Sequence, residues 1–74
     1  MTHTDKRINN NLKAEDFLAI ANEYMQKYYG RQVNGGWTMT GQQFTTQSYP
    51  KSWPQIQIDV TIHYKNQTIT LTER

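Results

Sequence analysis

Cysteine is missing from this chain, proline occurs twice and glycine four times. Without cysteine there are no disulfide staples, thiolate nucleophiles or thiolate metal sites, and the fold must be held by packing or by association between chains. A chain that needs no disulfide suits a reducing compartment, so a cytoplasmic location is expected. Long apolar runs are also lacking. Nothing approaches the ~20 apolar residues of a membrane span, and the polar first residues have no secretory core, so no membrane partner is expected. Charged residues make up only 19% of the sequence, with a formal net charge of +2. That balance permits an anionic partner without requiring one.

The sequence is rich in Asn, Gln and Thr, which hydrogen-bond at short range and exert little long-range steering. Its clearest pattern is the alternation from Gln55 to Thr72. Ile56, Ile58, Val60, Ile62 and Tyr64 fall on one side of a strand, and Gln55, Gln57, Asp59, Thr61 and His63 on the other. After Lys65, Asn66 and Gln67, the buried side resumes at Ile69 and Leu71 and the wet side at Thr68, Thr70 and Thr72. This pattern predicts an antiparallel hairpin.

Upstream, Phe17, Ala21, Tyr24 and Tyr28, widened by Leu18, Ile20 and Met25, have helical spacing. They predict a helix over residues 12–29, capped by Asn10 or Asn11 and stopped at Gly30. Asn34, Gly35 and Gly36 read as a turn. A strand follows over residues 37–46, bulged near Gly41, and then a proline-containing loop over 47–54. The expected fold is α+β, an N-terminal helix packed on a three-stranded antiparallel sheet in the order α-β-β-β, two layers deep. Residues 1–11 read as a polar, frayed leader and 12–74 as a single domain. At 74 residues, such a domain buries only about 60% of its unfolded surface, so its stability margin is thin.

Catalytic patterns do not emerge. Ser48 and Ser52 have no histidine near them in sequence, Glu15 and Asp16 are ordinary first-turn acids, and Gly35 and Gly36 lack the lysine and the strand-to-helix context of a phosphate loop. His63 and Asp59 share a strand face without a third ligand, so neither metal nor cofactor is expected. The chain therefore reads as a non-enzymatic binding module, of a size common among bacterial and phage accessory proteins. Its favoured partner is another protein, and a sheet edge offers a route to a homo-oligomer. Tyr49, Trp53, Trp37 and His63 are the candidate contacts, because aromatic side chains beside rigid proline give large contact area at low entropic cost.

The alternative is nucleic acid, contacted through Arg31, Lys51 and Lys65. The order α-β-β-β, with Asn22, Glu23, Tyr24 and Gln26 ending the helix, is similar to the first three quarters of a double-stranded-RNA-binding domain. The resemblance implies RNA binding. The chain ends at Arg74, where that family's lysine-rich second helix would begin, so the family's main phosphate-binding residues have no counterparts in it.

Overall fold

The computed structural model describes residues 1–40, 43–49 and 57–73. Its elements are β1 (Thr2–Thr4), α1 (Ala14–Tyr29), β2 (Gln32–Thr40), β3 (Gln43–Tyr49), β4 (Ile58–His63) and β5 (Thr68–Glu73). One helix and an antiparallel sheet make the fold α+β, as expected. Among the described residues the sheet has five strands in the order β1-β5-β4-β3-β2, in place of the expected three.

Two features account for the extra strands. Residues 32–40 and 43–49, expected as a turn, one strand and the start of a loop, pair as the antiparallel strands β2 and β3, with Gln32 opposite Tyr49 and Thr40 opposite Gln43. Gly35 and Gly36 lie inside β2, where the register shifts between Val33 and Trp37. Glycine tolerates such an irregularity because it has no Cβ to clash. This irregularity is one the sequence did not point to, and the bulge expected near Gly41 lies outside the described residues. The second feature is the expected leader. Thr2, His3 and Thr4 pair with Thr70, Ile69 and Thr68. A three-residue strand has too short an alternation to stand out in sequence, and it becomes a strand only beside a partner some 65 residues away in the chain. The observed order, β-α-β-β-β-β, adds a strand before the helix and a fourth strand after it to the expected α-β-β-β.

Helix α1 starts later than predicted, and neither Asn10 nor Asn11 caps it. Lys13 is the N-cap, with the Asp16 carboxylate accepting its backbone N–H at 3.0 Å. Asn9 instead closes a turn, its Oδ1 accepting the Asn11 N–H at 2.8 Å. The helix ends at Gly30, where φ is +64° and the N–H donates to the Gln26 carbonyl at 3.2 Å. Phe17, Ile20, Ala21 and Met25 are its buried residues. Tyr28, predicted on the buried stripe, is 39% exposed.

The core joins these helix residues to Ile58, Val60, Ile62, Ile69 and Leu71 of the sheet and to Ile8 of the β1–α1 connection, which is fully buried. Fully burying such a side chain contributes roughly 1.5–3 kcal/mol. Asn22 ties the helix to the sheet, its Oδ1 accepting the Val33 N–H at 2.9 Å. The opposite face of the sheet is hydroxyl-rich. Thr2, Thr70, Thr61, Thr45 and Thr38 form a register row with one threonine from each strand. At its β1 end the Thr2 and Thr70 hydroxyls lie 3.0 Å apart.

Candidate functional site

Among the described residues the β2 strand forms one edge of the sheet, with no partner strand on its outer side. Trp37 lies on it, in register with Thr46, Val60 and Leu71. Directly opposite residues share a face, so Trp37 belongs to the helix-covered side. It is 42% exposed while Val60 in the same row is fully buried, because the row runs out at the sheet edge. His63 ends β4 opposite Thr68 and Gln43, on the threonine-rich side, and is half-buried. Trp37 and His63, expected as contacts of one surface, therefore sit on opposite faces. Tyr49 closes β3 opposite Gln32, three residues beyond Thr46, the partner of Trp37. Trp53 and Lys51 lie outside the described residues.

The basic candidates are also dispersed. Arg31 follows the helix cap, its N–H donating to the Met25 carbonyl at 3.4 Å, and Lys65 is exposed in the β4–β5 turn. Arg7 is committed to carboxylates. Its guanidinium donates to Asp5 at 2.6 and 3.0 Å and to Glu23 at 2.9 and 3.1 Å. These bonds hold the Asp5 carboxyl well below the usual carboxylate range and also lower that of Glu23. The Tyr24 hydroxyl donates to Asp5 at 2.9 Å. Burial, followed by that bond, raises its phenol pKa. The four groups satisfy one another and offer neither a base nor an activated nucleophile. Among the described residues no group of three or more His, Cys, Asp or Glu side chains is placed to hold a metal ion, and no helix is long and apolar enough to cross a membrane.

Sequence reading missed two arrangements because the leader was not expected to dock. In the first, His3 of β1 stacks on Tyr28 with ring centroids 4.7 Å apart and lies 5.5 Å from Tyr24. Its Nε2 is buried without a hydrogen-bond partner among the described residues. The second is a polar cleft of about 490 Å³ lined by Asn9, Asn10, Tyr64, Lys65 and Gln67. The alternation of Thr2, His3 and Thr4, which matches that of Thr68, Ile69 and Thr70, was the available signal for the strand that brings both together. No family model matches the chain, and no curated protein or solved structure matches it significantly.

Proposed function

We propose that this chain is a non-enzymatic binding module that docks on another protein through the β2 edge, with Trp37 as the apolar anchor. The observation that carries this reading is the 42% exposure of Trp37 on a nine-residue strand at the sheet edge. An extended segment of a partner gains main-chain hydrogen bonds along such an edge and side-chain specificity from the neighbouring aromatic ring. The bulge between Val33 and Trp37 splits the regular pairing of β2 into Gln32–Val33 and Trp37–Thr40, so the regular stretch beside the anchor is four residues long, which favours a short docked segment. The charge distribution supports protein over nucleic acid. The threonine-rich face carries no Lys or Arg among the described residues, and Arg7 is neutralised by Asp5 and Glu23.

The test compares the natural sequence with Trp37→Ala as bait, followed by affinity measurements on the captured partner across salt concentrations. Trp37→Ala is expected to weaken binding by about tenfold or more, with little salt dependence, because apolar burial supplies the energy. Retention of RNA or DNA whose affinity falls by ~10³ between 50 and 200 mM salt, lost on replacing Arg31 and Lys65, would overturn this reading.

A further inference from the structure

The cleft between the β1–α1 connection and the β4–β5 turn lies away from the β2 edge and has its own construction. Its frame is tied across the chain by the Gln67 amide and braced locally by that of Asn9. Gln67 donates through Nε2 to the Lys6 and Ile8 carbonyls at 3.2 and 3.0 Å, while its backbone carbonyl accepts the Asp5 N–H at 2.8 Å. Asn9 donates to the Arg7 carbonyl at 3.1 Å and accepts from the Asn11 N–H at 2.8 Å. Gln67 has φ of +55°, a conformation that L residues adopt only when their surroundings hold them there. Tyr64 forms another wall, its ring tilted against Phe17 with centroids 5.8 Å apart.

The remaining lining groups are uncommitted. The side chains of Asn10 and Lys65 are exposed and, among the described residues, hold no hydrogen bond or ion pair. Among the described residues no carboxylate lines the cleft, and nearby Asp5 is occupied by Arg7 and Tyr24, so none of the described residues gives the Lys65 ammonium a counter-charge at the site. The volume falls within the roughly 300–1,000 Å³ of small-molecule sites and far exceeds what a bare inorganic anion fills. An ammonium, a free amide and an aromatic wall suit one ligand chemistry. The ammonium takes a carboxylate or phosphate, the amide takes hydroxyls, and the ring takes the C–H face of a sugar.

We infer that this cleft binds an acidic or phosphorylated monosaccharide, with its anionic group on Lys65 and its hydroxyls on Asn10. The inference is independent of protein docking at β2. Amide chemical shifts of the full chain would be followed on titration with glucose 6-phosphate, glucuronate, glucose and inorganic phosphate up to about 10 mM, a range that reveals millimolar affinity. The two anionic sugars are expected to shift Asn9, Asn10, Lys65 and Gln67. Glucose and phosphate alone should bind at least about tenfold more weakly. Lys65→Gln and Asn10→Ala change exposed side chains without bonds, so both variants should keep the native spectrum and each lose at least about tenfold in affinity. Glucose 6-phosphate binding no tighter than inorganic phosphate, shifts located elsewhere, or undiminished binding by Lys65→Gln would each overturn the inference.

Discussion

Asp5 connects the chemistry of single side chains to the stability of the whole chain. Its carboxylate accepts the Arg7 guanidinium, the Arg7 backbone N–H at 2.9 Å and the Tyr24 hydroxyl, so its folded pKa lies below the unfolded value of about 3.9. A lowered carboxyl pKa contributes stability that is present above the unfolded value and lost as pH falls through it towards the folded one. Chemical denaturation at pH 7 and pH 3 should therefore show the natural chain losing stability on acidification, and Asp5→Asn losing less. At neutral pH the substitution should cost about 1–2 kcal/mol, a modest figure because Arg7 is half exposed and screened by solvent. Tyr24 has the opposite sign. Its raised pKa gives stability that is present below about pH 10 and lost above it. In the core, Val60→Asp should abolish the cooperative thermal transition, since burying an unpaired charge costs several kcal/mol against a total of about 5. A retained transition would show that Val60 does not face the helix. Val60 was legible from alternation alone. Asp5 and Arg7 were not, because their partners Glu23 and Tyr24 lie on the helix, and no local pattern connects the two segments.

Elements were legible where they were long and periodic. Helix α1, its glycine stop and the β4–β5 hairpin follow from apolar spacing, which tertiary context had no reason to override. The β2–β3 pair was obscured because glycines that read as punctuation sit inside β2, and β1 was obscured by its shortness. The trace was there in Thr2 and Thr4, whose hydroxyl-bearing side chains continue the threonine side of β5. Gly30 gives a test at this scale. Its φ is +64° and a Cβ built on it meets nothing within 4 Å, so Gly30→Ala adds no clash, only the cost of a left-handed backbone. The urea midpoint should fall by an amount equivalent to about 1 kcal/mol with an unchanged slope. An unaltered midpoint would mean that the helix ends by another route.

At the scale of the molecule, the two candidate sites occupy different parts of the fold, one at the β2 edge and one where the β1–α1 connection meets the β4–β5 turn. Neither was legible as a site. Trp37 was recognisable as an aromatic but not as an edge residue, and the cleft needs Asn9 and Gln67, 58 positions apart, to be brought together. The pairing that does this also has a mechanical side. β1 runs antiparallel to β5, from the Leu71 N–H on the Met1 carbonyl at 2.8 Å to the Asp5 N–H on the Gln67 carbonyl at 2.8 Å. Tension applied between residues 1 and 73 pulls along those hydrogen bonds, which lie perpendicular to the strands. The bonds then break one after another, as in a zipper, without bearing the load together in shear. The first part of the protein to yield under such a pull is β1, and the rupture travels toward Gln67 and opens the cleft while the four other strands and the helix remain folded.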